Sequence, residues 1–333
     1  MLFMIERRNA MRTGNEIKEA FYHMSEGMVK RCFEKRRIKK KAFSKEDMEA
    51  IKKMDAFLQR VSGVHGEEED FTSYKKYFCI MVKMSMEYKG VTYERCYHRY
   101  FESGEAFGET GKIPCLAAKA IYLMNQCKHA EVFYCVNLLR ARYKREYGFC
   151  GVDRVKENCV NASSLYVDLD LPEELLKLSD GELLEKFKEE FGELCACLHP
   201  ELVRSGGGLH FYVPVVSLPM EDTDIRNRWM KAVSDLGVLL SSWGADCKCM
   251  DVVRVLRPVG VMNRKKKYGK GKEVRLLMES KGRMSLEEIE SQLSFLLKGG
   301  SAAFFESLLS EMMWDGTDEK GDLRYVSQHR ICG

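Results

Sequence analysis

The stretch that decides the fold reads Leu165-Tyr166-Val167-Asp168-Leu169-Asp170-Leu171-Pro172. Its alternation predicts a β-strand, because successive side chains of a strand point to opposite faces. The apolar side chains then share one face, and Tyr166, Asp168 and Asp170 share the other. Two neighbouring carboxylates repel each other unless a cation lies between them, which favours a site for divalent metal ions. An exposed strand end with two solvated aspartates is the alternative.

Further along, a glycine-rich segment reads Arg204-Ser205-Gly206-Gly207-Gly208-Leu209-His210-Phe211-Tyr212-Val213-Pro214. Consecutive glycines let a backbone approach phosphate groups closely and offer N–H groups to an anion. His210 enters the following strand on its polar face, where it could hold an oxygen of a triphosphate. A flexible hairpin turn followed by a hydrogen-bonded core histidine is the alternative interpretation.

A third segment, residues 244–265, supplies two more acids, Asp246 and Asp251, followed by Arg254 and Arg257. A turn with proline and glycine then leads to Asn263, Arg264 and Lys265. Guanidinium groups match the geometry of phosphate, so this segment is typical of phosphate binding. A surface loop with scattered charge is the alternative.

The rest of the chain indicates three regions with a mixed α and β pattern. Residues 1–90 are basic and predicted to be mainly helical, residues 91–280 form the core that holds the motifs, and residues 281–333 form a C-terminal helical segment. Sixteen basic and nine acidic residues fall in residues 1–60, and the densest basic stretch holds Arg36, Arg37, Lys39 and Lys40. This stretch is either a solvated helix face or a contact for nucleic-acid phosphates.

Composition excludes several classes of protein. The chain has 333 residues, 45% of them hydrophobic, and its 54 basic and 50 acidic side chains nearly balance. No apolar run approaches the ~18 residues of a membrane span, so we expect no membrane partner and a cytoplasmic location. Thirteen cysteines cannot all pair, which indicates a reducing compartment. Their Cys-x-Cys spacing at 195–197 and 247–249 does not favour zinc, and buried thiols are preferred, although a zinc ion stays an open alternative.

In order and spacing, the three motifs resemble those of the archaeo-eukaryotic primase superfamily, especially the primase-polymerases of plasmids, phages and other mobile genetic elements. The resemblance covers roughly residues 93–277. It rests on the paired aspartates, on Ser205 to His210, and on Asp246 followed by the two arginines and Asn263-Arg264-Lys265. The turn Pro258-Val259-Gly260-Val261 departs from the family's Leu-Pro-Gly-Thr.

The resemblance implies an α+β fold: an RRM-like antiparallel sheet that carries the carboxylates, a smaller α/β unit, and helical N- and C-terminal extensions. It implies that Asp168, Asp170 and Asp246 hold two Mg²⁺ or Mn²⁺ ions, with Asp251 as the alternative third ligand. His210 is then both a catalytic and a nucleotide-binding residue. The other expected nucleotide-binding residues are Ser205, Gly206, Gly208, Arg254, Arg257, Asn263 and Lys265.

The function implied is that of a template-dependent nucleotidyltransferase, a DNA primase or DNA polymerase that acts on single-stranded DNA by two-metal phosphoryl transfer. Its partners would be the template, a dNTP or NTP, and a separate replicative helicase. Template contacts are expected at Arg36, Arg37, Lys39, Lys40, Lys266 and Lys267. A replication-initiator or origin-binding protein without catalytic activity is the alternative.

Overall fold

The three-dimensional structure is a computed structural model, which describes residues 14–63, 75–107, 115–144, 149–245, 251–269, 271–299, 314–317 and 323–325. Its helices are α1 (Gly14–Phe33), α2 (Lys35–Lys40), α3 (Lys45–Ser62), α4 (Ser103–Phe107), α5 (Leu116–Asn125), α6 (Glu173–Leu176), α7 (Asp180–Leu198), α8 (Thr223–Leu239) and α9 (Leu286–Gly299). Among these described residues, no helix is both long enough and apolar enough to cross a membrane.

The strands are β1 (Lys76–Tyr88), β2 (Val91–Glu102), β3 (Ala130–Cys135), β4 (Leu138–Lys144), β5 (Phe149–Val152), β6 (Cys159–Asp170), β7 (Glu201–Arg204), β8 (Gly208–Pro219), β9 (Val255–Leu256), β10 (Met262–Asn263), β11 (Lys272–Glu273), β12 (Arg275–Met278), β13 (Trp314–Thr317) and β14 (Leu323–Tyr325). A large sheet has the order β12-β7-β8-β6-β4-β1-β3-β9, while β2 pairs with β1 and β5 pairs with β4. Two short hairpins, β10–β11 and β13–β14, stand apart from it. The strand ladders of the large sheet are antiparallel, which confirms the expected α+β class.

Local sequence signals account for where several helices begin. Ser44 and Asp47 form a capping box at the start of α3, and Ser179 and Glu182 form another at the start of α7. Each serine side chain accepts a bond from a backbone N–H that the helix itself leaves unpaired, and each acid accepts from the serine N–H. At α9, Ser285 accepts from the N–H of Glu288, as its sequence predicts.

Helix α3 packs against two strands of the large sheet, β3 and β8, that are not neighbours in the strand order. The ring of its Phe57 lies edge-on to Tyr134 of β3 and to Tyr212 of β8, with ring centroids 6.0 and 5.8 Å away. Because β3 and β8 are far apart in the strand order, the sheet must curve around this helix. A second core, which includes Phe187, Phe211 and Trp243, joins α7 to the other side of β8.

The N-terminal region differs from the expectation of a mainly helical segment that ends at residue 90. Helices α1 to α3 occupy residues 14–62, but β1 and β2 then form a long hairpin at 76–102, and both strands belong to the large sheet. The boundary expected at residue 90 therefore falls in the turn of this hairpin. The sheet begins earlier in the chain than the sequence indicated.

Candidate active site

Asp168 and Asp170 lie at the C-terminal end of β6, in the strand that the sequence predicted. Both belong to the polar face of that strand, the Asp168 carboxylate being 22% exposed and Asp170 exposed. In the ladder between β6 and β8, Asp168 is opposite His210 and Asp170 is opposite Gly208. The first two motifs thus meet at one end of one strand pair.

His210 is almost fully buried, with 3% of its surface exposed. Its Nε2 atom lies 3.7 Å from Oδ1 of Asp168, and its Nδ1 atom lies 3.3 Å from the hydroxyl of Tyr212. Burial, followed by the charges of Arg257, Arg254 and Lys265, lowers the pKa of His210 to about 3. The imidazole is therefore neutral near pH 7 and lies between these cations and the carboxylates of Asp168 and Asp170.

The two arginines of the third motif have different surroundings. Arg254 approaches Oδ2 of Asp168 to 3.6 Å and is partly exposed. Arg257 is buried, pairs with Glu131 of β3 at 2.5 Å, and lies 4.4 Å from the ring centroid of Phe133. Arg254 is thus the arginine that faces the paired carboxylates, and the Arg257 guanidinium is held by β3.

The glycine turn, Ser205 to Gly208, connects β7 to β8. Both the N–H and the hydroxyl of Ser205 donate to the carbonyl of Gly208, at 2.9 and 3.3 Å, and Gly206 has a φ of +95°. A Cβ at Gly208 would lie 1.8 Å from the carbonyl oxygen of Leu169, so only glycine allows β8 to pass this close to β6. The turn is therefore fixed directly beside Asp170.

Asn263, expected to bind nucleotide, is buried and ties β10 to the glycine turn. Its Nδ2 donates to the carbonyl of Ser205 at 2.7 Å, and its Oδ1 accepts from the N–H of Lys265 at 3.3 Å. These bonds orient the loop in which Lys265 is exposed. Asn263 thus supports the site through its contacts with the backbone.

The preferred third metal ligand, Asp246, lies outside the described residues. The residues just before it contact β6: the N–H of Asp170 donates to the carbonyl of Gly244 at 2.8 Å, and Ala245 pairs with Leu169. The alternative, Asp251, accepts from the N–H of Val253 at 3.1 Å through its carboxylate. Within the part of the chain that the structure describes, no three His, Cys, Asp or Glu side chains cluster closely enough to hold a metal ion.

The expected DNA contacts form two basic surfaces. Arg36, Arg37 and Lys40 line a cavity of about 690 Å³, together with Arg31, Cys32, Glu34, Lys41 and Leu123. Lys39 belongs to the same helix, α2, and is exposed. Lys266 and Lys267 belong to the loop after β10; Lys266 pairs with Glu87 at 2.6 Å, and the Lys267 ammonium lies 5.2 Å from the ring centroid of Tyr268.

Sequence reasoning missed the role of two buried tyrosines near the site and the structural role of Arg264 in the third motif. Tyr134 and Tyr212 are fully buried and join β3 to β8 through a hydrogen bond of 2.9 Å between their hydroxyls. Arg264 donates to the carbonyl of Asn125 at 2.6 Å and fixes the loop after β10 to the end of α5. The alternation of β3 and β8 could have placed the tyrosines on inner faces, but their contact depends on how the sheet curves.

Only part of the cysteine set considered for zinc belongs to the described residues. Cys195 and Cys197 are half-buried in α7, and burial raises the pKa of Cys195 to about 11, so that its thiol keeps its proton at neutral pH. Cys247 and Cys249 lie outside the described residues. The described cysteines are free thiols, in keeping with the preference for reduced cysteines.

No model of a known protein family matches the chain, and no curated protein matches it significantly. Among solved structures it is similar to the AEP domain of the primase-polymerase of cyanophage S-2L, at 12% identity and a TM-score of 0.38, over 64% of this chain and 88% of that one. The primase RepB' is 14% identical with a TM-score of 0.37, over 79% and 70%. The polymerase domain of Mycobacterium tuberculosis ligase D, in complex with DNA, is 12% identical with a TM-score of 0.31, over 77% and 88%.

Proposed function

We propose that the chain is a template-dependent nucleotidyltransferase, a DNA primase or DNA polymerase that acts on single-stranded DNA. The observation that supports this most is the meeting of Asp168 and Asp170 with the glycine turn and His210 at one end of the β6–β8 ladder. Phosphoryl transfer needs carboxylates for metal ions and donors for phosphates at one place. The finer description of the fold, an RRM-like sheet with a smaller α/β unit, belongs to the same proposal.

The side chains present suit divalent metal ions. Asp168 and Asp170 offer only oxygen donors, which Mg²⁺ and Mn²⁺ prefer, and they lie on one face of β6. Asp246 would complete the set, with Asp251 as the alternative. When bound, two such ions activate a 3′-hydroxyl and neutralise the charge of a triphosphate.

The remaining residues bind and orient the nucleotide in this proposal. Arg254 lies next to the carboxylates and would contact the triphosphate, with Lys265 beside it. Arg257 adds to the positive potential at His210 while paired with Glu131. The glycine turn would bring Ser205, Gly206 and Gly208 to the phosphates, and Asn263 would keep the turn in place. The incoming nucleotide would be a dNTP or an NTP.

The basic surfaces would contact the template. The cavity beside α2 holds five cationic side chains and one acid, Glu34, so phosphates of single-stranded DNA suit it. A separate helicase would supply the single strand. The same cavity also favours the second candidate, a DNA-binding replication initiator without catalytic activity, and metal binding distinguishes the two.

A titration with Mn²⁺, followed by electron paramagnetic resonance in the presence of a dNTP, tests the proposal. We expect the protein to bind Mn²⁺, and Asp168→Asn and Asp170→Asn to lose that binding, because each removes a charged oxygen donor from the site. Asp224→Asn is the matched control, since Asp224 is exposed at the start of α8. Equal Mn²⁺ binding by all variants would contradict the site and favour the initiator.

The same titration separates the two candidates for the third ligand. We expect Asp246→Asn to weaken Mn²⁺ binding more than Asp251→Asn, because the Asp251 carboxylate already accepts the N–H of Val253. The reverse order would assign the ligand to Asp251.

A further inference from the structure

Three side chains in hydrogen-bond contact, Tyr134, Tyr212 and His210, lead from β3 to the candidate active site. The hydroxyl of Tyr134 in β3 lies 2.9 Å from the hydroxyl of Tyr212 in β8, which lies 3.3 Å from Nδ1 of His210. Nε2, on the opposite side of the imidazole, is 3.7 Å from the carboxylate of Asp168. Both tyrosines are fully buried, so water does not compete for these contacts.

The protonation states of the two tyrosines are set by burial, and that of His210 by its hydrogen bonds. Burial raises the pKa of each tyrosine well above its ordinary value, so both hydroxyls keep their protons. For His210 the hydrogen bonds decide, because an Nδ1 atom that accepts the hydroxyl of Tyr212 carries no proton and leaves the imidazole neutral. A neutral imidazole carries one proton, on either Nδ1 or Nε2, and the hydrogen bonds decide which nitrogen holds it.

Only one direction of these hydrogen bonds gives every buried proton an acceptor. If Tyr134 donates to Tyr212, then Tyr212 donates to Nδ1, and the imidazole proton is on Nε2. In the opposite direction Nδ1–H donates to Tyr212 and Tyr212 donates to Tyr134. The proton of Tyr134 then has no acceptor among the residues that the structure describes. A buried hydroxyl proton without an acceptor is costly, so the first direction is favoured.

The carboxylate of Asp168 favours the same tautomer independently. A proton on Nε2 faces Oδ1 of Asp168 and is attracted to it, whereas a lone pair on Nε2 would face the negative charge and be repelled. The hydroxyl chain on one side of the ring and the carboxylate on the other thus both place the proton on Nε2.

We infer that Tyr212, held by Tyr134, is a positioning residue that fixes His210 in its Nε2–H tautomer, so that His210 acts as a neutral hydrogen-bond donor to an anionic phosphate oxygen. The inference rests on the proposed function for the identity of that oxygen. In this role His210 neither removes a proton at Nε2 nor supplies a positive charge. The tautomer of His210 therefore depends on the contact between Tyr134 of β3 and Tyr212 of β8.

Nitrogen-15 NMR of the imidazole groups in the full chain tests the tautomer directly, with the His210 signals assigned by comparison with His210→Gln. We expect the Nε2–H tautomer in the unsubstituted protein. Tyr212→Phe removes the donor to Nδ1 but keeps the ring against Phe57. Asp168 alone then favours Nε2–H, so a measurable fraction of the Nδ1–H tautomer should appear beside it. Tyr134→Phe leaves that donor in place and should largely preserve the Nε2–H form.

Tyr166→Phe is the matched control, because Tyr166 is opposite Tyr212 in the ladder but its hydroxyl donates to the carbonyl of Asp251. It should leave the tautomer unchanged. An Nδ1–H tautomer in the unsubstituted protein would overturn the inference, and so would an unchanged tautomer in a folded Tyr212→Phe variant.

A kinetic measurement separates this inference from the proposed function. If the protein incorporates nucleotides, Tyr212→Phe should raise the KM for the nucleotide about tenfold with a smaller effect on kcat, the size expected for loss of one oriented hydrogen bond. If the unsubstituted protein incorporates no nucleotides, the proposed function is wrong. The tautomer of His210 is then still decided by the NMR measurement alone. An unchanged KM in an active Tyr212→Phe variant would contradict the positioning role.

Discussion

Two glycines determine how closely the chain approaches the paired aspartates. A Cβ at Gly208 would lie 1.8 Å from the carbonyl oxygen of Leu169, and one at Gly244, where φ is +72°, would lie 2.2 Å from the carbonyl oxygen of Asp170. Both contacts are with backbone, which cannot move aside as a side chain can. The end of β6 is therefore enclosed by two segments that require glycine.

We expect Gly208→Ala to lower the free energy of unfolding by at least about 3 kcal/mol, because β8 must separate from β6 to accommodate the methyl group. Gly181→Ala is the matched control: a Cβ there meets nothing within 4 Å, and the position is in the first turn of α7. The control should stabilise the protein by about 0.5 kcal/mol. Urea unfolding measures both, and equal stabilities of the two variants would contradict the close approach.

At the scale of elements, one half-buried arginine, Arg283, joins three segments. Arg283 donates to the carbonyls of Gln59 and Arg60 at the end of α3, at 2.9 and 2.5 Å. It also donates to Ser163 of β6 and Val215 of β8, at 3.1 and 2.7 Å. The carbonyl of Gln59 also accepts from the N–H of Gly63, which ends the helix. Arg283 therefore adds donors at the end of α3 and binds this end to the sheet.

We expect Arg283→Met to lower the free energy of unfolding by about 3 kcal/mol, since it removes four hydrogen bonds that join the end of α3 to β6 and β8. Arg275→Met should cost less than about 1 kcal/mol, because its ion pair with Asp180 is half exposed. Thermal unfolding of the two variants provides the comparison. A loss in Arg283→Met no larger than in Arg275→Met would show that α3 is held mainly by its apolar face.

The sequence predicted some elements well and could not predict others, for physical reasons. Strong alternation in residues 165–171 and the capping serines at 44 and 285 are local signals, and the strand and helices they indicate are present. The β1–β2 hairpin was missed because β1 contains three methionines and two lysines, which are good helix formers, and because β2 buries only two of its side chains. The Arg257–Glu131 pair and the Tyr134–Tyr212 contact depend on how distant strands approach each other, which no local pattern reveals.

At the scale of the whole molecule, the candidate site lies where the strand pair β6–β8 approaches β3 around α3. The carboxylates and His210 come from β6 and β8, whereas Glu131 and Tyr134 come from β3. Helix α2, with its basic cavity, packs against α5, whose end is bound to the loop after β10 by Arg264. The basic surfaces and the site therefore belong to one connected framework.

We expect the combined change of Arg36, Arg37, Lys39 and Lys40 to Gln to weaken single-stranded DNA binding and to flatten the plot of log K against log salt by about two to three units, since each lost phosphate contact removes about 0.7. The control changes four exposed lysines on other helices or their flanks, Lys177, Lys186, Lys188 and Lys231, and so alters net charge equally. Binding measured by fluorescence anisotropy should keep its slope in the control. Equal slopes in both variants would make the α2 cluster a solvated surface.

Asp168 and Asp170 are the proposed centre of nucleotide incorporation. The most direct measurement is extension and de novo synthesis on a single-stranded DNA template, with Mg²⁺ or Mn²⁺, comparing the protein with Asp168→Asn, Asp170→Asn and the control Asp224→Asn. We predict product from the unsubstituted protein and the control, and a loss of at least about a hundredfold in both site variants, which keep their fold and their DNA binding. Incorporation at an undiminished rate by either folded site variant would contradict the account.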